Sequence, residues 1–494
     1  MLRLTSPWIA ALGQALAVCA AFVPTSIALL AAAADIPMPP LTSVTETPRM
    51  ITIEQDPRLT LALGKTAVVM ANGGYQPFLF CSAEGTLFCQ AQLDEPPFHS
   101  KAKVVYFLRI GTAISRDRGV TWTRWTHQEN HDDVNIEGGA VQCADGMILM
   151  LDTYIPVDQV HHGVGELWKS TDDLHSLNGP FFVDFHLPKT NLSGATNDMG
   201  VTEPPNVRLH RSVIEMPNRD LLTIAYNSFA GDTAPAGYLA SMMKTRVVLF
   251  RSRDRGAHWA YLATVGVDGG VGTEGYGEPV LVRVARGPHT GRLLCLIRTG
   301  RELYGSHSDD DGLTWVRPTP VRFPGVDIYD TAKWEDLFVN KKDPDYLPSD
   351  EMIGALVDPE LIQMQNGVLV CAFGARMPAK KASEGLGRSF LKGPDGKYPD
   401  MRPIPGRRYD TWRAPENGDY LAFSCDGGDT WSHIVQYRSG LATTHYAGVR
   451  EVAADLLYVV YDNSLPKTRQ KAGTVHQALG FQLVVKRTDV RPGN

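Results

Sequence analysis

A short motif, Ser-x-Asp-x-Gly-x-Thr-Trp, recurs along this chain and constrains its fold more than any other feature. It is complete at residues 115–122, 308–315 and 424–431. Residues 252–259 form a near-copy with His in the Thr place, and residues 170–174 form a degenerate copy without the Gly and the Trp. Asp and Ser side chains bind nearby backbone amides in tight turns, and Gly supplies a positive φ. The repetition therefore indicates stacked or radially arranged units.

A second repeat lies between the copies of this turn motif. A Gly or Asp opens a short apolar strand at six places, namely Gly85, Gly146, Asp220, Gly291, Gly367 and Asp455. Each of the first five precedes one copy of the motif, and helical periodicity is nearly absent. Six similar strand-rich units predict an all-β fold, a six-bladed β-propeller with four-stranded blades. Residues 35–494 then form a single domain, with the run at 477–485 as a closing strand.

The N-terminal 34 residues differ from the rest of the chain. Arg3 precedes a long apolar run that ends in four alanines before Asp35, which predicts a signal peptide cleaved after Ala34. An uncleaved membrane anchor is the alternative. The mature protein is then secreted or periplasmic, and no later segment is apolar enough to span a bilayer. The net charge of −6 and the lack of a basic block argue against a nucleic-acid partner.

Neither a metal nor a cofactor is expected from the sequence. Six cysteines follow the signal segment and form no C-x-x-C pair, which argues against zinc. A disulfide between Cys81 and Cys89 across a hairpin is left open. Two long insertions, residues 317–357 and 377–418, are rich in Pro, Gly and charge, and loops of that length are typical of functional rims or lids.

The repeats also predict a ring of polar residues at one end of the propeller axis. Counting nine residues back from each marker, and allowing for a longer turn in the fourth unit, gives Gln76, Glu137, Arg211, Glu278, Asp358 and Tyr446. Charge near the axis costs free energy unless it is paired or used, so convergence of these groups predicts an active site, with structural pairing as the alternative. Arg298 and Arg376 each close the strand nearest the axis in their units, where a guanidinium can bind a carboxylate bidentately.

Over about residues 60–485 the chain resembles the sialidase superfamily. The turn motif carries the resemblance, together with three segments: Glu278-Pro279 with Arg298, Asp358-Pro359 with Arg376, and residues 445–448, His-Tyr-Ala-Gly. The resemblance implies a retaining exo-glycosidase that removes terminal sialic acid or another acidic sugar from a glycan or oligosaccharide. Its nucleophile would be a Tyr, an exception to the usual carboxylate pair.

The same resemblance assigns roles to individual residues. Tyr446 would be the nucleophile and Glu278 its base, while Arg298 and Arg376 would hold the substrate carboxylate. Asp94 is the acid/base candidate. Gln76 occupies the place of the family's first arginine. Arg211, from another unit, is a candidate substitute, and together with Gln76, Glu137 and Asp358 it is expected to bind substrate.

Two other functions fit the same scaffold. A uronate polysaccharide lyase needs a base that removes the proton α to a carboxylate, and the candidates besides Tyr are His131, His161, His162, His210 and His445. A non-sialidase glycosidase or a glycan-binding propeller without catalysis is the other possibility, because a fold alone confers no activity. A hydrogen bond between Tyr446 and Glu278 would favour the glycosidase.

Overall fold

The computed structural model describes residues 35–37, 48–71, 73–93, 109–125, 135–192, 195–196, 202–236, 242–272, 274–327, 352–380, 418–439, 445–462 and 477–489. The predicted signal peptide, Asp94, His131 and most of the two long insertions lie outside these residues. All described residues belong to one unit, residues 33–494.

Three strands precede the first repeat and three repeats follow in the N-terminal half. The early strands are β1 (Asp35–Pro37), β2 (Ile51–Glu54) and β3 (Leu59–Ala71). Unit one contains β4 (Gly73–Cys81), β5 (Leu87–Leu93), β6 (Ile110–Ser115) and β7 (Thr123–Trp125). A 3₁₀ helix (Ile136–Gly138) leads into unit two, which contains β8 (Gly139–Gln142), β9 (Ile148–Leu151), β10 (Tyr154–Gln159), β11 (His162–Ser170) and β12 (Asn178–His186). After the short strands β13 (Ala195–Thr196) and β14 (Thr202–Glu203), unit three contains β15 (Asn206–Glu215), β16 (Leu221–Asn227), β17 (Arg246–Ser252) and β18 (His258–Gly266).

The C-terminal half repeats the same plan. Unit four contains β19 (Gly277–Arg283), β20 (Leu293–Arg298), β21 (Tyr304–Ser308) and β22 (Thr319–Pro320). Unit five contains β23 (Met352–Gln363), β24 (Leu369–Lys380), β25 (Gly418–Ser424) and β26 (His433–Ser439). Unit six contains β27 (Ala447–Ala453), β28 (Leu456–Asp462) and β29 (Gln477–Arg487).

Successive strands of each unit pair in antiparallel fashion, and the units are arranged around an axis as in a propeller. The first strands of neighbouring units contact one another from β8 through β15, β19, β23 and β27 to β4. Unit two departs from the plan, because β10 pairs with both β11 and β15 and β12 pairs in parallel with β18. These pairings join units two and three in a nine-stranded sheet. The predicted all-β propeller is confirmed.

The ring closes differently from the prediction that residues 477–485 form the closing strand. That run is β29, the third strand of unit six, and the N-terminal β3 adds to it as the fourth. The closure therefore joins the two ends of the described chain. A second clasp lies nearby, where β2 pairs with β26 and the backbone amide of Asp56 donates to Nδ1 of His433 at 3.0 Å.

Each copy of the turn motif begins at the last residue of the strand that pairs with its unit's second strand, namely β6, β11, β17, β21 or β25. In unit four, Ser308 Oγ accepts from the amide of Gly312 at 2.9 Å and donates to Asp310 Oδ1 at 2.7 Å. The same carboxylate accepts from the Thr314 amide at 2.9 Å and from its hydroxyl at 2.6 Å. The pKa of Asp310 is lowered to about 2, and the hydrogen bond from the Thr314 hydroxyl is the largest cause of this shift. The motif is thus a closed hydrogen-bonded turn.

The degenerate copy in unit two forms the same turn. Ser170 Oγ accepts from the amide of Leu174 at 3.0 Å, and Asp172 accepts from the amide and hydroxyl of Ser176 at 2.9 and 2.6 Å. Leu174 adopts a φ of 62° in the place of the missing Gly. The hydrogen bonds of Ser and Asp therefore define this turn even where Gly and Trp are lost.

The turn motifs also pack each unit against the one before it. A Cβ atom at Gly312 would lie 2.5 Å from Leu249 Cδ2 in unit three. Gly119 lies directly against the ring of Tyr458 in unit six, and Trp122 Nε1 donates to the hydroxyl of Tyr458 at 3.0 Å. The last contact joins unit one to unit six. The motif glycines are therefore required for close packing between units as well as for their backbone conformation.

Other expectations from composition can be compared with the structure directly. The six described cysteines are free thiols, and Cys81 and Cys89 pair with Leu87 and Leu79 across the hairpin rather than with each other, so the possible disulfide is absent. In the described part of the chain, no helix has the length and apolar character needed to cross a bilayer.

Candidate active site

β-Bulges in the first strands point the predicted ring residues toward the axis. The pairing of β4, β15, β19 and β23 with their neighbours shifts register at Gln76, Arg211, Glu278 and Asp358 respectively. All four have positive φ, between 40° and 52°. Such a conformation is strained for residues other than Gly and is concentrated at functional sites. Equivalent sequence positions are therefore equivalent in backbone conformation.

The other two ring members reach the axis by different local structures. Glu137 lies in the 3₁₀ helix before β8, capped by the side chain of Asn135. In unit six the positive φ, 67°, falls on His445, one residue before Tyr446. Gly374 allows His445 to approach β24, since a Cβ atom there would overlap its side chain.

Tyr446, Glu278 and Arg298 form a hydrogen-bonded triangle. Tyr446 Oη donates to Glu278 Oε1 at 2.7 Å, and Arg298 Nη1 donates to the same oxygen at 2.6 Å. Arg298 Nη1 also lies 3.2 Å from Tyr446 Oη, while its Nη2 donates to Glu274 Oε1 at 3.0 Å. The side chains of Arg298 and Glu278 keep 12% and 15% of their surface exposed. The triangle thus lies at the edge of the buried interior.

The protonation states of the triangle follow from burial and from the arginine. Burial raises the pKa of Tyr446 well above its ordinary value, and the negative charge of Glu278 adds to this effect. Burial would also raise the pKa of Glu278, but the charges of Arg298 and His210 and the hydrogen bonds from Arg298 and Tyr446 lower it to about 2. The resting site therefore contains a neutral phenol that donates to an ionised carboxylate.

Arg211 holds the centre of the ring together. Its Nε and Nη2 donate to Glu137 Oε1 at 3.0 and 2.7 Å, and its Nη1 donates to Asp358 Oδ2 at 3.1 Å and to the carbonyl of Ala447 at 2.8 Å. The guanidinium carbon lies 5.3 Å from the centre of the Tyr446 ring. Its side chain is 0% exposed, as is that of Asp358. This geometry favours a positioning role over the direct substrate binding expected for Arg211 and Asp358.

The charges around the axis are mostly negative. Ion pairs connect carboxylates to Arg211, to Arg298 and, through Glu360, to Arg450. We call this set the axial charge cluster; its carboxylates are Glu137, Glu274, Glu278, Asp358 and Glu360. With every member ionised, five carboxylates face three guanidiniums and the cluster carries a charge of −2. An anionic ligand would meet repulsion here.

Gln76 has an amide where the sialidase resemblance requires a first arginine. Its Oε1 accepts a hydrogen bond from Gln92, and its backbone amide donates to Asp462 Oδ2 at 3.2 Å. A small recess between units one and two is lined by Gln76, Phe78, Gln90, Ala91, Gln92, Ile110, Asn135 and Glu137. Amide groups can donate to and accept from hydroxyl groups, and they attract a carboxylate less than a guanidinium does.

Two of the predicted site residues cannot be placed in this geometry. Asp94, the acid/base candidate, follows the last residue of β5 and lies outside the described residues. The backbone of Arg376 pairs with Ala355 across the sheet of unit five, but its side chain is outside the described part. The triangle therefore brings together Tyr446, Glu278 and Arg298 from the predicted set.

The histidine candidates divide into two groups. His162, at the start of β11, bonds to Asp158 on β10 and to Asp184 on β12. His161 directly precedes it, so both histidines belong to unit two. His210 and His445 lie at the axis instead. His445 Nδ1 is 3.0 Å from Asp419 Oδ1, with both side chains buried. Only these two described histidines neighbour the triangle.

Sequence reasoning missed three acidic residues that shape the site. Glu274 neutralises the second side of Arg298, Glu360 links Arg211 to Arg450, and Asp419 orients His445. Glu360 directly follows Asp358-Pro359, so its proximity could have been inferred. Glu274 lies three residues before β19, and Asp419 is on β25, and neither occupies a repeated position.

Comparison with known proteins places the chain by fold only. No protein-family model and no curated protein sequence matches it. A solved protein of unknown function from Dyadobacter fermentans aligns over 87% of this chain and 100% of its own, with 15% identity and a TM-score of 0.53. An α-L-arabinanase from Penicillium chrysogenum complexed with arabinobiose aligns over 87% and 100% with 12% identity and a TM-score of 0.46. A Trypanosoma rangeli sialidase aligns over 86% and 60% with 11% identity and a TM-score of 0.43.

Proposed function

We propose that this chain is a retaining glycoside hydrolase that removes a terminal sugar from a glycan, with Tyr446 as its nucleophile. The observation that carries the proposal is the triangle: Tyr446 Oη donates to Glu278 Oε1 at 2.7 Å, and Arg298 contacts both groups. A nucleophile, its base and a cation that stabilises the base are thereby arranged around one oxygen atom.

The reaction follows from these positions. As the bond between Tyr446 Oη and the anomeric carbon forms, the phenolic proton becomes acidic and passes to Glu278. The glycosidic bond breaks at the same time, and the leaving oxygen takes a proton from an acid, for which Asp94 is the sequence candidate. Water then hydrolyses the sugar–tyrosine bond and restores the phenol. Two inversions at the anomeric carbon give net retention.

Sialic acid or another acidic sugar is the substrate class that the sialidase resemblance supports. A neutral phenol approaches an anomeric carbon bearing a carboxylate with less repulsion than an ionised Asp or Glu. Arg298, which remains 12% exposed, is the described guanidinium in the triangle that could contact such a carboxylate. Arg376 is the second candidate from the sequence.

The charge distribution favours a second candidate, a glycosidase for a neutral terminal sugar. Arg298 is already paired with Glu274 and Glu278, and Arg211 is enclosed by carboxylates. Gln76 offers an amide in place of the missing arginine. In the described part of the site, no guanidinium beside Tyr446 remains without a carboxylate partner. A neutral sugar would avoid the repulsion from the axial charge cluster.

One experiment tests the proposal and separates the two substrate classes. Purified full-length protein is assayed with fluorogenic sialosides, α-L-arabinofuranosides and uronate-containing glycans. Tyr446→Phe should reduce kcat at least about 1000-fold on any cleaved glycoside, because the nucleophile is lost. Tyr437→Phe is the matched control, since this buried tyrosine hydroxyl has no hydrogen-bond partner in the described part of the chain. Full activity in Tyr446→Phe would refute its role as the nucleophile.

The other outcomes distinguish the remaining functions. An unsaturated product that absorbs near 230 nm would identify a lyase. Glycan binding without turnover of any substrate would identify a binding propeller. The same preparation tests export, which we propose from the N-terminal 34 residues. N-terminal sequencing of protein from the culture medium or periplasm should give a chain that begins at Asp35.

A further inference from the structure

We infer that His210, Glu278 and Asp358 form a binding site for a divalent transition-metal cation at the end of the propeller axis. One donor atom from each of the three residues lies within 4.8 Å of the donor atoms of the other two. His210 Nε2 and Asp358 Oδ1 are 3.8 Å apart. Two ligands around one cation at about 2.1 Å are separated by roughly 3–4 Å. The three side chains come from units three, four and five.

The hydrogen bond of His210 through Nδ1 leaves Nε2 available as a metal ligand. His210 Nδ1 lies 3.0 Å from the carbonyl oxygen of Pro279. A carbonyl only accepts, so Nδ1 carries the proton and Nε2 presents its lone pair toward Asp358. A backbone carbonyl that accepts from the far nitrogen is the usual second partner of a metal-bound histidine.

The carboxylates supply a second, independent observation. Glu278 Oε2 and Asp358 Oδ1 are buried and accept no hydrogen bond from any described residue. The side chain of Asp358 is 0% exposed, and its other oxygen is already used by Arg211 and by the amide of Ala447. A buried carboxylate oxygen without a partner costs free energy. Both oxygens would gain a partner in a cation bound between them and His210 Nε2.

The charge of the surroundings favours a dication. The axial charge cluster carries −2 when every member is ionised, and most of its groups are buried. A divalent cation would neutralise this charge. The alternative is a proton on Asp358, whose pKa is raised well above its ordinary value, mainly by burial. The two alternatives differ in whether the purified protein binds a metal.

The ligand types indicate the class of metal. One imidazole nitrogen with two carboxylate oxygens suits Zn²⁺ or Mn²⁺ better than Ca²⁺ or Mg²⁺, which prefer oxygen ligands. Three protein ligands leave at least one coordination position open. Because Glu278 also accepts from Tyr446, the bound cation would lie next to the triangle. The site does not depend on the proposed glycosidase reaction.

The test measures metal binding rather than activity. Full-length protein is treated with a chelator, dialysed and titrated separately with ZnCl₂ and MnCl₂, by calorimetry and by elemental analysis after desalting. We expect one equivalent of bound Zn²⁺ or Mn²⁺ per chain. His210→Gln should weaken the Kd at least about tenfold. His186→Gln, at the edge of unit two, is the matched control and should bind as the wild type does.

The results that would overturn the site are equally direct. Less than about 0.1 equivalent of either ion in the wild type refutes it, and so does unchanged affinity in His210→Gln. If His210→Gln fails to fold, Asp358→Asn and Glu278→Gln serve as replacement variants, and unchanged affinity in either also refutes the site.

Discussion

Replacing Arg211 with Met should destabilise the protein more than replacing Arg292 with Met does. The side chain is 0% exposed and donates to Glu137, Asp358 and the carbonyl of Ala447. Met fills a similar volume but leaves the two carboxylates without their cation. Removing one partner of a buried ion pair costs about 3–5 kcal/mol, because the remaining charge stays buried and uncompensated.

That free energy can be converted to a melting temperature. Unfolding entropy of about 2.1 cal/mol/K per residue gives about 1 kcal/mol per degree for a chain of 494 residues. Arg211→Met should therefore lower Tm by about 3–5 °C in differential scanning calorimetry. Arg292→Met is the control, since Arg292 pairs with Asp309, which is 61% exposed. Such surface pairs contribute less than about 1 kcal/mol.

A second variant tests the physical reason for the loss. Asp358→Asn removes one of the charges that Arg211 balances and keeps an oxygen that can accept from the amide of Ala447. Arg211→Met combined with Asp358→Asn should lose less stability than the sum of the two single substitutions. A Tm change in Arg211→Met as small as in the Arg292→Met control would refute the account. Strict additivity in the double variant would refute it as well.

Three further predictions follow from other parts of the structure. Gln76→Arg should raise kcat/KM for a sialoside about 10–100-fold and leave an arabinofuranoside unaffected, because it adds a charge-assisted bond to a carboxylate; fluorogenic assays with both substrates check this. Gly312→Ala should lower Tm by about 2–4 °C in calorimetry, because φ is +89° and the added methyl would lie 2.5 Å from Leu249. Asp56→Asn should destabilise the clasp by about 1–2 kcal/mol at neutral pH, because it weakens the charge-assisted hydrogen bond that Arg58 donates to Asp56. This bond is the largest cause of the lowered pKa of Asp56, whose ordinary value is 3.8. Because the pKa of Asp56 is lower in the folded protein, its ionised carboxylate stabilises the fold above pH 3.8, and this contribution is lost as the pH falls further. The Tm difference between Asp56→Asn and the wild type, measured from pH 7 to pH 3, should therefore shrink at the acid end.

The repeats made the fold predictable because they report local backbone geometry. Each motif Ser is the last residue of the strand that pairs with its unit's second strand, and each Gly or Asp marker lies one or two residues before a second strand begins. Aligning the copies with one another therefore predicted the order of the strands within a unit. The role of β3 in closing the ring was not predictable in this way. Its partner, β29, lies at the opposite end of the sequence, and no repeated motif marks either strand.

The sequence predicted which residues lie at the candidate site better than it predicted their hydrogen-bond and ion-pair partners. Counting from the markers found Gln76, Arg211, Glu278 and Asp358, because all four occupy the same bulge in equivalent strands. Their partners Glu274, Glu360 and Asp419 lie at unrelated positions in the repeat. Whether an arginine faces substrate or is enclosed by carboxylates depends on those partners. Counting could therefore not distinguish Arg298, at the edge, from Arg211, in the centre.

The strained bulges explain why such different side chains occupy one position. A positive φ in a residue other than Gly costs on the order of 1–3 kcal/mol, and four first strands carry one. A strained conformation that occurs in four units must be held in place by its surroundings, such as the tight packing of the first strands around the axis. The backbone then presents a side chain to the axis whatever its chemistry. Exchanging Gln76 for Arg would therefore change the charge at this position while the bulge remains.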